Sequence, residues 1–177
     1  DYPCKGYAEE WKGKKMREIL FRAKRKNWQE FPKDEWWVEG YLVKYQPCAS
    51  KEEWIYGIVP IYASALYIIE IDPETLCQYA RLKDNNGNRI WENDIVSCEH
   101  EKYPEDTPLE VYPLLPEPVK YKRNYAVEFI NTGSSYGYRL RNKSIHFMLT
   151  GNVIYNHKIE VIGNVFDNSE LLKGDQS

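Results

Sequence analysis

A mainly β chain is what this sequence predicts: a sandwich or a partly open small barrel of the SH3 type, with one or two short helical turns. Three observations carry that reading. Aromatic residues make up 15% of the 177 positions, chiefly 15 tyrosines and 6 tryptophans, side chains that favour a pleated, half-buried surface. Short segments alternate apolar and polar residues with a period of two. Glycine, asparagine, aspartate and proline punctuate those segments so closely that no long helix fits between them.

Residues 1–15 are expected to lie outside the fold, as an over-long gene start or an N-terminal extension before Met16. One domain is expected over 16–172, with a short tail at 173–177. Ile19, Phe21 and Ala23 share one face of a first strand. A loop follows through Arg25-Lys26-Asn27 and Phe31-Pro32. Trp36 to Tyr45 reads as a second strand, in which Gly40 marks a bulge or a close backbone approach. Trp54 to Ile71 holds one or two strands, with Pro60 confined to an edge or an end. Asp72-Pro73-Glu74-Thr75 has the chemistry of a capped single turn: Asp72 accepts from backbone donors, and Pro73 sits where an N–H is dispensable.

Asn86-Gly87 is the strongest hairpin signal, because a type I′ turn needs positive φ at both central positions. A second tight turn at Glu92-Asn93-Asp94 leads into apolar Ile95-Val96. Residues 99–122 hold five prolines and read as a surface insertion, partly extended. Alternation returns at Tyr125 to Ile130 and Tyr136 to Arg141, which form another hairpin. Ile159 to Val165 is a last strand, followed by a turn capped by Asn168 or Ser169 and stopped by Gly174.

The balance of 24 basic and 27 acidic residues, net −3, gives no global attraction to nucleic acid or anionic membrane. Cys4, Cys48, Cys77 and Cys98 are widely spaced with no C-x-x-C, so reduced thiols in a cytoplasm are expected. The apolar run from Ile58 to Ile71 is broken by Pro60 and Glu70 and is too short to span a bilayer. No membrane partner is expected.

Candidate chemistry is sparse. Cys98, Glu99 and His100, with His146 and His157, match no common zinc spacing, and neither a metal nor a cofactor is expected. Glu74, Asp84, Glu92 and Asp94 sit in or beside turns, where Asp72 and Asp94 are expected to bind local backbone N–H groups rather than to act as acid and base. There is no nucleophile elbow, phosphate loop, H-E-x-x-H or dinucleotide fingerprint, so no catalytic residue is assigned. Three basic clusters remain: Arg22 to Lys26, Lys120 to Arg123, and Arg139 to Lys143. If Lys122, Arg123, Arg139 and Arg141 share one face with Tyr138, they would form a nucleic-acid contact surface. Trp36 and Trp37, adjacent on a strand, are expected on opposite faces, one in the core and one, Trp36, at a partner contact.

Taken together, Phe21-Arg22-Ala23, Trp37-Val38-Glu39-Gly40-Tyr41, Ile71-Asp72-Pro73-Glu74-Thr75, Gln78-Tyr79, Leu82 to Gly87, Asp94-Ile95-Val96 and Val161 to Asn168 with Glu170-Leu171-Leu172 form an ordered set. The set resembles the YopX family of phage and prophage proteins, from about Met16 to Leu172. Its structural signature here is Asp72, Pro73, Gly87, Asp94, Gly163 and Asn164. The family tends to place glycine where this chain has Cys77, Arg81 and Asn93. Asn93 tolerates a left-handed backbone, whereas Arg81 and Cys77 suggest that those positions do not need positive φ. The resemblance implies a mostly β fold and a phage-derived gene, and it brings no catalytic residues. The expected role is a non-enzymatic accessory protein that binds a host or phage macromolecule, as a homo-oligomer. The alternative is a nucleic-acid-binding small barrel.

Overall fold

The alternating segments become two antiparallel sheets in the computed structural model, which describes residues 18–46, 54–63, 67–103, 117–143 and 145–173. The first sheet contains β1 (Phe21–Lys24), β2 (Trp37–Tyr45), β3 (Ile55–Pro60), β4 (Ile69–Glu70), β5 (Cys77–Lys83) and β6 (Arg89–Trp91), in the order β4-β3-β2-β1-β5-β6. The second contains β7 (Asp94–Lys102), β8 (Val119–Thr132), β9 (Ser135–Asn142), β10 (Ile145–Met148) and β11 (Glu160–Asn164), in the order β10-β9-β8-β7-β11.

The first sheet curls on itself. Arg25 bridges Ile71, Lys26 N donates to Glu70 O at 2.9 Å, and Asp72 N donates to Lys24 O at 2.9 Å. The chain leaving β4 thus returns to β1 and encloses Ala23, Val38, Ile58 and Ile71. A larger core of Val96, Tyr125, Val127, Leu140 and Ile159 lines the second sheet, and Ala80 and Ile90 of the first sheet join it. Leu20, Cys77, Tyr79 and Trp91 pack as a third cluster.

Local chemistry explains the turns. Asp72 Oδ1 accepts from Glu74 N at 3.1 Å and starts the turn Pro73–Thr75. Gly40 is a close approach rather than a bulge: β2 and β3 stay in register through Gly40 and Pro60, and a Cβ on Gly40 would lie 2.0 Å from Val59 O. Gly163 sits at an irregularity in the β7–β11 pairing, and a Cβ there would meet Asn168 Oδ1 at 2.5 Å.

Two stretches escape the period-two pattern. Helix α1 (Gly151–Asn156) has only six residues, too few for a readable 3.6 periodicity. Edge strand β10 leaves Ile145 and Met148 exposed, so its apolar residues do not sort onto one face. Within 99–122, Glu99 to Lys102 pair with Val119 to Lys122, so β7 and β8 continue into both flanks. Residues 104–116 lie outside the described residues, as do 1–17, Cys48 and Gly174.

Asn93 has φ 63°, as its residue type allows, but Arg81 also has positive φ, 64°. The expectation for Arg81 is therefore corrected. The register between β5 and β6 shifts between Tyr79 and Lys83, and this irregularity forces the left-handed backbone whatever the side chain. A left-handed non-glycine residue costs roughly 1–2 kcal/mol, and glycine gives back about 0.5–1 kcal/mol in chain entropy. Arg81→Gly is expected to stabilise by about 0.5–1 kcal/mol and raise Tm by a few degrees in thermal unfolding. An equal or lower Tm would show that the arginine side chain offsets the strain.

Candidate functional site

Lys24 is 2% exposed, an unusual place for an ammonium unless it is paired. Its Nζ lies 2.6 Å from Asp167 Oδ1 and 3.9 Å from the ring centre of Trp28, with Trp36 at 4.9 Å and Trp37 at 5.6 Å. Asp167 Oδ2 accepts from Trp37 Nε1 and from Asn164 Nδ2, both at 2.9 Å. Burial raises the Asp167 pKa, but the bonds from Lys24, Asn164 and Trp37 outweigh it and hold the carboxyl below its ordinary value. Asn164 Oδ1 also accepts from Phe166 N and Asp167 N, each at 3.0 Å, which fixes the turn that presents Asp167.

Trp36 does not lie on a strand. It ends the turn Lys33–Glu35 with helical φ −62° and ψ −42°, so the alternation argument fails and both Trp36 and Trp37 turn toward Lys24. Trp28 and Trp36 meet edge to face at 4.5 Å, and Trp36 Nε1 donates to Phe31 O at 2.9 Å. A groove of about 410 Å³ is lined by Lys24, Trp28, Lys33, Trp36, Phe166 and Asp167, among others. A second groove of about 410 Å³ shares Trp28 and Asp72 with it and adds Trp54, Tyr56, Glu70 and Pro73. Together they make one aromatic strip.

Arg22 shares the strand face of Lys24 and reaches the other sheet. Its guanidinium donates to Asp94 Oδ1 and lies 5.0 Å from the Trp37 ring and 5.4 Å from the Trp91 ring. Asp94 Oδ2 accepts from Trp91 N at 2.7 Å. Burial pushes the Asp94 carboxyl up to about 6, against the pull of Arg22 and the Trp91 N–H. Asp84 serves a different set of donors: Asn86 N, Asn88 N and Val161 N. The two aspartates thus hold separate turns and form no acid–base pair.

The basic hairpin does not assemble as the nucleic-acid reading requires. Arg139 and Arg141 both reach Glu128, at 2.8 and 3.4 Å, while Tyr138 and Leu140 turn to the core. Lys122 pairs with Glu160 at 3.5 Å, and Lys120 with Glu99 at 3.4 Å. Arg123 has the strand parity of buried Tyr125 and lies over Tyr121. Lys122, Arg139 and Arg141 therefore share one face, and Arg123 and Tyr138 lie on the other. The alternation already held this information, since adjacent strand residues cannot share a face. Acids interleave the remaining cations.

His100 and His157 do meet, with ring centres 4.9 Å apart, and His100 Nε2 lies 3.0 Å from the Tyr125 hydroxyl. Burial, with His157 and Arg123 nearby, lowers the His100 pKa. His146 is exposed on β10. No three metal-ligating side chains cluster among the described residues. Cys77 and Cys98 are buried and free; burial raises the pKa of both thiols, that of Cys98 to about 12.

Fold and site define a mainly β protein of two sheets, in which paired polar groups tie the sheets together and tryptophan rings line two adjoining surface grooves. The family described as YopX protein matches residues 20–173, and the chain belongs to the YopX family. A solved structure, protein EF1440 from Enterococcus faecalis, is similar at 19% identity and a TM-score of 0.48, covering 89% of this chain and 99% of that one. No curated protein matches the chain. No helix among the described residues is long and apolar enough to cross a membrane.

Proposed function

We propose that this YopX-family chain is a non-catalytic interaction protein of phage or prophage origin, acting in the bacterial cytoplasm. It holds a host or phage macromolecule against the tryptophan strip. The supporting observation is the contrast between that strip and the rest of the surface. Trp54 is 56% exposed and Trp28 and Trp36 are half-buried, above a base locked by Lys24 and Asp167. Elsewhere Asp84 and Asp94 serve backbone donors, and Lys120, Lys122, Arg139 and Arg141 are ion-paired. Rigid, partly desolvated tryptophans are the residues that dominate interface energies. The phage origin rests on the family resemblance alone.

Trp36→Ala combined with Trp54→Ala tests the reading. The double variant should keep its far-UV circular dichroism and lose at least about 2 kcal/mol of partner affinity, roughly thirtyfold. Cross-linking in host and phage-infected lysates, with partner bands identified and then titrated, measures this. Light scattering on the same samples tests the homo-oligomer: if the strip is also the self-contact, the double variant falls to 21.0 kDa. A correctly folded variant with undiminished partner affinity and mass would overturn the assignment.

A further inference from the structure

We infer that the tryptophan strip takes a cationic peptide: an extended segment of a partner protein that carries two or more lysine or arginine side chains. This deepens the interaction reading and rests on it. The strip already binds cations of its own chain. Lys24 fills the inner side of Trp28 and Trp36. Lys33 Nζ lies 5.9 Å from the Trp36 ring centre. Lys44 Nζ lies 4.7 Å from that of Trp54 and 5.3 Å from that of Tyr56. Lys33 and Lys44 are exposed, so each holds its ring by a weak, solvent-screened contact and can be displaced by a better-placed cation.

The surrounding charge favours the same guest. Glu70, Asp72 and Lys26 line the second groove, and Lys26 pairs with Glu70 at 2.9 Å, which leaves Asp72 as the acid that sets the groove's charge. The two turns that carry Trp28 and precede Trp36 hold Glu30, Asp34 and Glu35, all exposed. Lys24 does not repel a second cation strongly, because Asp167 neutralises it at 2.6 Å. The two grooves share Trp28 and Asp72, which suits an extended segment with cationic side chains spaced along it.

The probe is a capped peptide alternating arginine and glycine, added to the full-length chain labelled with nitrogen-15, with the tryptophan indole N–H signals followed. A glutamate–glycine peptide and single-stranded oligothymidine serve as parallel probes. The Trp28 and Trp36 signals should move with the arginine peptide only. Trp28→Ala should weaken binding about tenfold, Trp28→Phe much less, and Lys33→Ala, which frees a ring face, should tighten it. Binding of the acidic peptide or of oligothymidine in place of the arginine peptide would overturn the inference, as would arginine-peptide binding unchanged by Trp28→Ala. If the arginine peptide fails while Trp36→Ala with Trp54→Ala still abolishes partner capture, the surface stands and the cationic guest is wrong. If both fail, the surface itself is wrong.

Discussion

Asp94→Ala is expected to destabilise the protein by about 3–5 kcal/mol in urea unfolding at neutral pH, the range for breaking a buried ion pair from one side. Asp94 is fully buried, and alanine would leave two orphans. Trp91 N loses the acceptor it reaches at 2.7 Å. The Arg22 guanidinium, whose Nε has no hydrogen-bond partner among the described residues, loses its carboxylate. A cost below about 1 kcal/mol would show that water enters and replaces both bonds.

Asp94→Asn separates the charge from the acceptor. The amide oxygen still serves Trp91 N but brings no charge. The carboxyl titrates at about 6 in the fold, against an ordinary 3.8. A group whose folded pKa is raised contributes stability that is full below the unfolded value and is lost as pH rises through the folded one. The wild type should therefore lose stability relative to Asp94→Asn between about pH 4 and pH 7, by an amount on the order of 2 kcal/mol. A wild-type advantage that grows over this range would mean that attraction to Arg22 outweighs desolvation.

What the sequence could show divides by range. The two hairpins, the Asp72 cap and the turn at Asn93 depend on neighbours within a few residues, and their positions stand in the local order. The Asn86-Gly87 turn is not type I′, however: Gly87 has positive φ, 84°, and Asn86 does not, because Asp84 Oδ1 accepts from both Asn86 N and Asn88 N and shapes a longer loop. The Trp36–Trp37 reading failed because it assumed a strand where the preceding turn imposes helical φ and ψ. Arg81 was misjudged because residue type bore on φ less than the bulge did. The site itself depends on distant pairs: Arg22 meets Asp94 across 72 positions and Lys24 meets Asp167 across 143. No local pattern marks such partners. In the sequence, Arg22 to Lys26 resembles a solvated basic stripe. In the fold, Arg22 and Lys24 are sealed against tryptophan by Asp94 of β7 and by Asp167 in the turn after β11.

Asp84→Ala should cost about 3–4 kcal/mol and loosen one joint before the rest. The Asp84 carboxylate accepts from Asn86 N at 2.9 Å, Asn88 N at 2.8 Å, Asn88 Nδ2 at 3.0 Å and Val161 N at 3.0 Å. The first three shape the Asn-Gly turn of the first sheet, and the fourth belongs to β11 of the second. Asn85 N adds a bond to Ile159 O at 3.0 Å, so the hairpin tip docks on the other sheet through one carboxylate and one amide. Burial raises the Asp84 pKa, yet the bonds from Val161, Asn88 and Asn86 outweigh it and hold the carboxyl below its ordinary value. Stability from such a group is present above the unfolded pKa and is lost as pH falls through the folded one. Asp84→Ala should remove that acid sensitivity. Hydrogen bonds to a charged acceptor contribute about 1.5–3 kcal/mol each and are not additive, which sets the estimate below their sum. Asp84→Asn keeps part of the network and should cost about half as much. Amide exchange gives the sharper test: Val161 and Asn88 should lose protection in Asp84→Ala while Val127 and Leu140 exchange only through global unfolding. Equal loss of protection everywhere would mean that the hairpin tip and β11 open only with the whole fold, and that Asp84 is no separate joint.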